Sequence, residues 1–346
     1  MNNTEKFNYW LDNNIIFQSA YNNLVGKTSN RECNDVHHNE RKISVIISTH
    51  NRSQLLLRLL DSILHQNYTN YEIIIVDDKS SDDTKEVVHN YIDDHSDTDI
   101  TYYCNEKNRG VSYSKKKGYL LCSGDVIIFS DDDDYYIDDY YFAKVNDVYA
   151  NHPDCTMTIA GTLFHYDSDD SYHFEKLNYP GPVENKDFIN GFCSEYNKPG
   201  SMFTLTIDAK KSRNIHYEEL QCFNDMSLYL YGALAKGKIY PITEAVGVYS
   251  VQTSSMSSSV SADFIINNLN AKAEIGKKAM AKGYIEKKDY SNWLYKQSLP
   301  TLMLFYNCDI NSFREYIQVN NWVFKNLKFP FRHRIILRGI KARIIK

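Results

Sequence analysis

From Lys42 onward the chain alternates short apolar runs with stretches of helical spacing. Ile43-Ser44-Val45-Ile46-Ile47-Ser48 is a β-branched run, the pattern of a buried strand. Between Ser53 and Gln66, the residues Leu56, Leu59, Leu60, Ile63 and Leu64 fall on one helix face. Tyr71 to Val76 predicts a second buried strand. It ends in Asp77-Asp78-Lys79-Ser80-Ser81-Asp82-Asp83, where Ser80 and Asp83 have capping-box spacing for the next helix. Ile100 to Cys104 predicts a third strand and Val111 to Cys122 a third helix. Asp125 to Phe129 predicts a fourth strand, running into Ser130-Asp131-Asp132-Asp133-Asp134. Such alternation predicts an α/β fold, a parallel sheet with helices on both faces. Ligands of these sheets bind at the carboxyl ends of the strands. Three polar clusters sit at those ends: 48–52, 77–83 and 131–134.

The second half is less regular. Cys155 to His165 and Ser201 to Ile207 read as strands, Asn224 to Lys236 as a helix, and Lys238 to Val251 as a strand. Thr253 to Ser261 is Ser/Thr-rich and reads as a mobile loop. From Asp263 the spacing is helical to the end, with breaks at Pro300 and Pro330. Residues 1–41 read as a polar, patchily helical extension packed on the domain.

Composition narrows the class. The length of 346 residues suggests about two domains at ~150 residues each. A hydrophobic share of 42% is enough for a core, and a net charge of −5 argues against a nucleic-acid partner. The cysteines, Cys33, Cys104, Cys122, Cys155, Cys193, Cys222 and Cys308, are odd in number and form no C-x-x-C pair. That disfavours a disulfide framework or zinc site and predicts a reducing compartment. The N-terminus lacks the basic and apolar segments of a secretory signal. No stretch approaches the ~20 apolar residues of a membrane span. The expectation is a cytoplasmic protein, or one lying on a membrane without crossing it.

The charge is unevenly spread. After Glu315 there is no acidic residue, yet Lys325, Lys328, Arg332, Arg334, Arg338, Lys341, Arg343 and Lys346 follow. Within 324–346 apolar and basic residues alternate at nearly helical spacing, which suits an interfacial helix on anionic lipid. The competing reading is a basic helix docked on the acidic body.

The chemistry concentrates at the fourth strand end. Four adjacent carboxylates repel one another unless a cation sits among them. A merely solvated acidic loop would leave its attachment to a hydrophobic strand unexplained. Hard oxygen ligands in this number suit Mg²⁺ or Mn²⁺. The D-x-D-x-D-G loop of an EF-hand is missing. Neither a P-loop nor a G-x-G-x-x-G is present, which disfavours kinases, ATPases and nicotinamide dehydrogenases. A departing diphosphate needs a metal and nearby cations. Arg52, Arg109 and Lys115 to Lys117 are the candidates, with two of the three lysines reading as a solvated helix face. Asp78, an acceptor only when ionised, would favour a base that presents a donor, such as uracil N3–H. A helix-cap role for one of Asp77 and Asp78 stands beside that reading, and both can hold.

Four strings occur in order: V-I-I-S-T-H-N-R at 45–52, I-I-I-V-D-D-K-S-S-D-D-T at 73–84, N-R-G at 108–110 and S-G-D-V-I-I-F-S-D-D-D-D-Y-Y at 123–136. Together they resemble family 2 glycosyltransferases of GT-A fold, across roughly residues 42–255. The resemblance implies a GT-A domain over 42–255, with a nucleotide-binding half at 42–136 and an acceptor half at 137–255. A C-terminal helical region at 256–346 would follow. It implies that Ser48 and His50 line the nucleoside pocket, with Arg52, Arg109, Gly110 and Lys115 completing the nucleotide-sugar site. Asp78 would read the base, Asp131 or Asp132 would lie near the ribose, and Asp133 would bind Mn²⁺ or Mg²⁺. Asn224-Asp225 resembles the family's Glu-Asp pair, making Asp225 the catalytic base of an inverting transfer. As a residue alone, Asp225 reads better as an N-terminal helix residue stabilised by the dipole. Gln252 stands where a metal-binding His is usual, and Lys115-Lys116 where Arg-Asn is usual. Pro199, Gly200, Ser201 and Asn224 fall where acceptor contacts occur in similar enzymes.

The resemblance further implies a UDP-sugar donor and a glycan acceptor linked to polyprenyl diphosphate. Bacterial O-antigen or capsule synthesis at the inner membrane face would be the setting. A sugar nucleotidyltransferase is the first alternative, although S-T-H-N-R replaces the Gly-rich loop it needs. A subunit that keeps the fold without activity is the second, favoured by Gln252 and Lys115 and opposed by the intact Asp cluster.

Overall fold

The structure is a computed structural model describing residues 40–252, 261–308 and 312–344, with side chains through 339. The first apolar run forms β1 (Ile43–Thr49), buried along its whole length because strands flank it on both sides. Helix α1 (Ser53–Leu64) turns Leu56, Leu59, Leu60 and Ile63 into the core, as its spacing predicts. There follow β2 (Tyr71–Asp77), α2 (Thr84–Asp94), β3 (Ile100–Cys104), α3 (Val111–Leu121) and β4 (Val126–Asp131). Next come β5 (Tyr135–Tyr136), α4 (Tyr141–Asn151), β6 (Cys155–Tyr166), β7 (Ser171–Glu175), β8 (Val183–Glu184) and α5 (Asn185–Gly191). A 3₁₀ turn (Met202–Thr204) leads into β9 (Leu205–Asp208), α6 (Ala209–Asn214), α7 (Asp225–Gly232) and β10 (Lys238–Val251). Four helices complete the order: α8 (Ala262–Ala281), α9 (Tyr290–Tyr306), α10 (Phe313–Asn326) and α11 (Phe331–Ile344).

These elements fall into two compact units. The first holds residues 40–184, 198–218 and 235–252. Its sheet runs β3-β2-β1-β4-β9-β6-β10-β5, with β7 on β6 and β8 on β10. Strands β3, β2, β1 and β4 are mutually parallel, as strand–helix alternation predicts. Beyond β4 the sheet is mixed, for β9 runs antiparallel to both β4 and β6 while β10 is parallel to β6. The core lies between the sheet and α1 and α4, where Leu59, Ile63, Ile73, Phe142 and Val145 are sequestered from water.

The second unit holds 185–197, 219–234, 261–308 and 312–344. Here α8 packs on α9 and α10, and α9 on α11. Two side chains of α9 pin the carbonyls around α5: Trp293 Nε1 donates to Ile189 O at 2.7 Å and Gln297 Nε2 to Phe192 O at 3.1 Å. Trp322 of α10 donates to Asn270 of α8 at 2.7 Å.

Three local expectations are corrected. Pro300 lies inside α9 rather than breaking it. Its neighbours Ser298 and Leu302 are fully buried, and the buried Lys272 ammonium donates to Gln297 O at 3.0 Å and to the Thr301 hydroxyl. These contacts hold the turn despite the missing proline N–H. The segment 201–207 is a strand only from Leu205, because Thr204 donates from its hydroxyl to Ser201 O at 2.8 Å and winds the preceding turn. The capping box of Ser80 and Asp83 is absent. Ser80 turns back onto Asp77 at 2.7 Å, and Asp82 instead receives the Thr84 N–H and hydroxyl at 3.1 and 2.6 Å. Of the expected loop at 253–261 and the N-terminal extension at 1–41, residues 253–260 and 1–39 lie outside the described residues, and Ser261 caps α8, accepting from Phe264 N at 3.2 Å. Among the described residues no helix is long and apolar enough to cross a membrane.

Candidate active site

Strand register brings the polar clusters together. Ser48 of β1 stands opposite Val76 on one side and Asp131 on the other, and Thr49 stands opposite Asp77. The backbone continues this alignment past the strands: Asp78 N donates to Thr49 O at 2.9 Å and Asn105 N to Asp77 O at 2.8 Å. Asn51 then ties the first loop to the second. Its left-handed backbone (φ 54°) aims Oδ1 at Ser81 N, 2.7 Å away.

Asp78 is buried and holds the third loop. Oδ1 accepts from Asn105 Nδ2 and Arg109 N at 2.8 Å each, and Oδ2 accepts from Gly110 N at 2.6 Å. Gly110 sits at φ 85°, a conformation that favours glycine and starts α3 abruptly. So neither Asp77 nor Asp78 caps α2; Asp78 gathers the amides that open α3. Arg109 is exposed, its guanidinium 4.4 Å from the Tyr113 ring centre. His50 is also exposed, with Nε2 3.3 Å from the side-chain nitrogens of Asn51 and Asn108.

The four carboxylates at the end of β4 have different surroundings. Asp131 pairs with Lys115 Nζ at 2.6 Å. This lysine is 2% exposed, so one of the three consecutive lysines points into the site. Lys117 instead lies over the Tyr103 ring. Asp132 receives Thr49 Oγ1 at 2.8 Å and Arg52 Nη1 at 3.0 Å, and Asp133 receives the same Arg52 nitrogen at 2.9 Å. Asp134 is fully buried, accepting from Ser201 Oγ at 2.9 Å and Ser250 N at 3.4 Å. Arg58 of α1 donates to Asp133 O at 2.6 Å, and Ser250 Oγ reaches the same carbonyl at 2.6 Å.

Electrostatics reflect this crowding. Burial pushes the Asp132 carboxyl up to about 6 against the pull of Arg52. Burial also raises Asp133, reinforced by the charge of Asp131, and raises Asp134 well above the usual carboxylate range. Two cations in contact do not fully offset the carboxylates. Among the described residues no three carboxylate, His or Cys side chains close around a metal position. The donor type nonetheless fits a hard divalent ion: oxygen ligands carrying unrelieved negative charge. One further group is unexplained within the protein. Ser48 Oγ is buried and has no hydrogen-bond partner, the condition of a group awaiting a ligand or water.

The remaining predicted residues divide. Gln252 is partly buried, two residues beyond Ser250. Pro199 and Ser201 are buried, and a Cβ on Gly200 would lie 2.6 Å from Thr162 Cβ, so this segment packs against β6 and supports Asp134. Asn224 and Asp225 belong to the second unit. There Asn224 caps α7, its side chain accepting from Ser227 N at 2.9 Å, and Asp225 occupies the first helical position. Sequence reading gave no role to Thr49, Asn51, Arg58, Asp134 and Ser250, although Thr49 and Asn51 lie in the polar cluster 48–52 and Asp134 is the fourth member of the acidic run.

The sequence profile of Glycosyl transferase family 2 matches residues 44–207, the stretch that contains the carboxyl ends of β1, β2, β3 and β4. Residues 44–207 are a family 2 glycosyl transferase domain. Relatives agree with this. The chain is 31% identical over 217 residues to the GalNAc(5)-diNAcBac-PP-undecaprenol beta-1,3-glucosyltransferase of Campylobacter jejuni, covering 61% of this chain and 65% of the relative. It is 35% identical over 125 residues to the glucosyl-dolichyl phosphate glucuronosyltransferase of Haloferax volcanii, covering 35% of this chain and 38% of the relative. The matches thus span less than two thirds of these relatives. The solved structure of S. aureus TarS 1-349 in complex with UDP-GlcNAc superposes with a TM-score of 0.64 at 17% identity, covering 87% of this chain and 89% of that one. The family 2 domain here has the GT-A architecture its motifs imply, a helix-flanked sheet followed by a C-terminal helical region.

Proposed function

We propose that this chain is an inverting, metal-dependent glycosyltransferase. It moves a sugar from a nucleotide-sugar, UDP-linked, to a hydroxyl of a glycan carried on polyprenyl diphosphate. The observation that carries the reading is the acidic end of β4, where Asp131 to Asp133 meet Lys115 and Arg52 beside the unpartnered Ser48 hydroxyl. Two relatives named for undecaprenol- and dolichyl-linked acceptors support the acceptor class. The setting follows from that class: the cytoplasmic face of a bacterial membrane during surface polysaccharide synthesis, with the basic segment 324–346 on anionic lipid.

Each residue then has a task. Mn²⁺ or Mg²⁺, held by Asp133 with Gln252, would neutralise the leaving nucleoside diphosphate. Arg52, Lys115 and Arg109 supply the nearby positive charge that the phosphates need. Ser48 and His50 line the nucleoside pocket, and Asp131 or Asp132 binds the ribose. A carboxylate has about four acceptor sites; Asp78 uses three on Asn105, Arg109 and Gly110, leaving one for a base N–H. Asp225 takes the proton of the acceptor hydroxyl as its oxygen bonds the anomeric carbon. The bond from that carbon to the diphosphate breaks on the opposite face, which inverts the configuration. Asn224 and the segment Pro199, Gly200 and Ser201 serve the acceptor, the segment through its hold on Asp134.

Calorimetric titration with UDP, GDP and dTDP, each with and without Mn²⁺, tests the reading. Metal-dependent binding of UDP alone is the expected result. Silence of all three nucleotides in Mn²⁺ would reject it in favour of an inactive subunit. Release of pyrophosphate rather than UDP during turnover would mark a nucleotidyltransferase. Asp225→Asn is expected to bind UDP normally while losing ~10²–10⁴-fold in turnover.

A further inference from the structure

Helix α10 has two apolar faces. One is internal: Val319, Trp322 and Val323 are buried, with Trp322 bonded to Asn270 and the neighbouring Asn320 receiving the Tyr306 hydroxyl at 3.1 Å. The other points outward. Phe313, Ile317 and Phe324 are 76%, 43% and 51% exposed. At 100° per residue these three fall within about 40° of arc, a single stripe. An ordinary surface helix has one apolar stripe, facing its core. The connection to α11 extends the exposed set, with Phe329 at 70% and Leu337 at 65%.

The exposed charges of α10 and α11 are nearly all of one sign. Arg314, Lys325, Lys328, Arg334 and Arg338 are exposed, and the Arg332 guanidinium lies 5.7 Å from the Phe324 ring centre. Between 312 and 339 the only acid is Glu315. It is engaged within its own unit, accepting from Ser312 N at 2.9 Å and Ala262 N at 3.2 Å.

We infer that this face of α10, with the cations of α10 and α11 around it, docks on an anionic lipid bilayer. The inference rests on the membrane reading above and deepens it: the apolar anchor is the outer stripe of α10, beginning at Phe313, not the basic segment alone. Exposed aromatic and aliphatic groups beside unopposed Arg and Lys match an acyl boundary beneath acidic headgroups. A second copy of the chain fits worse, because it would bring the same cations face to face.

Vesicle co-sedimentation of the full chain tests this. The unaltered chain should bind vesicles containing phosphatidylglycerol and bind phosphatidylcholine vesicles weakly. The triple variant Phe313→Ser, Ile317→Ser, Phe324→Ser should lose roughly a hundredfold in partitioning, as three side chains cease to be buried. The double variant Arg334→Gln, Arg338→Gln should lose roughly twentyfold on acidic vesicles. A triple variant that binds like the unaltered chain overturns the proposal. So does a chain that ignores acidic vesicles but sediments as a dimer that the triple variant abolishes. UDP titration of the same samples keeps the two readings apart. Normal nucleotide binding without vesicle binding rejects the docking face alone, and vesicle binding without nucleotide binding rejects the transferase reading alone.

Discussion

Glu72 near the amino end of β2 and the acidic run at the carboxyl end of β4 are both buried carboxylates, held in opposite ways. At the amino end, Glu72 accepts from Ser44 Oγ and Ser123 N at 2.6 Å, from Lys42 Nζ and Ser123 Oγ at 2.7 Å, and from Gly124 N at 3.2 Å. Burial disfavours its charge, yet these donors outweigh burial and hold the carboxyl at about 2. Gly124 is required there, since a Cβ would lie 2.6 Å from Lys42 O and 2.9 Å from Ser44 N. At the end of β4, Asp132, Asp133 and Asp134 are all raised, because burial and mutual repulsion exceed what Arg52, Arg58 and the hydroxyl and amide donors of Thr49, Ser201 and Ser250 return. Glu72 is thus saturated with donors, whereas the run at the end of β4 is left short of them, the condition of a candidate ligand site.

Amide substitution at each end is the strongest way to break this contrast. Asp133→Asn should lower turnover by ~10²–10³-fold, the range for removing one electrostatic contributor to a transition state. Its thermal midpoint should stay level or rise, because a repulsive charge is gone. Glu72→Gln should do the reverse: about 2–3 kcal/mol of lost stability from donors left facing an amide, with UDP affinity per folded molecule unchanged. If thermal melts show Asp133→Asn to be the more damaging of the two, the two ends do not differ as described.

Acid titration sharpens the same comparison. The folded Glu72 carboxyl, at about 2, lies below the ordinary 4.5. Its contribution to stability is therefore complete above about pH 4.5 and is lost as pH falls toward 2. The unaltered chain should lose thermal stability across that window more steeply than Glu72→Gln. Parallel pH profiles would show that Glu72 is not the saturated group.

Much of this contrast was legible in the sequence, and part was not. Strands β1 to β4 are announced by apolar runs, and their polar ends by Asp and Ser clusters, because strand periodicity and turn chemistry are local. Arg58 and Ser250 left no mark, and Thr49 only as one of the polar cluster 48–52. Their roles arise from register and from β10 returning beside β5, which no local pattern encodes. The lysine run at 115–117 illustrates the limit. Composition shows that one of three could enter the site and the resemblance points to Lys115; the phase of α3, with Ser114 and Gly118 on its buried side, is what turns Lys115 inward. Asp225 and the region 185–197 are harder still. Nothing in composition separates these segments from their neighbours, although they group with the C-terminal helices.

The smallest effect compares two serines on one strand. Ser44 and Ser48 lie four residues apart on β1, so their side chains share a face of the sheet. Ser44 Oγ donates to Glu72 at 2.6 Å and accepts from Gly124 N at 2.8 Å. Ser48 Oγ is buried without a partner. Ser44→Ala should therefore cost about 1–2 kcal/mol, because two buried partners lose a bond. Ser48→Ala removes an unsatisfied hydroxyl and should leave the unliganded protein within about 0.5 kcal/mol of its original stability. In the presence of UDP and Mn²⁺ the order should invert: Ser48→Ala should weaken nucleotide binding about fivefold, one neutral hydrogen bond, while Ser44→Ala leaves it unchanged. Melting curves and titrations of the two variants measure both halves. Equal destabilisation without nucleotide would mean that Ser48 is satisfied in solution, and the carboxyl end would then lack the unmet polar group that marks it as a binding site.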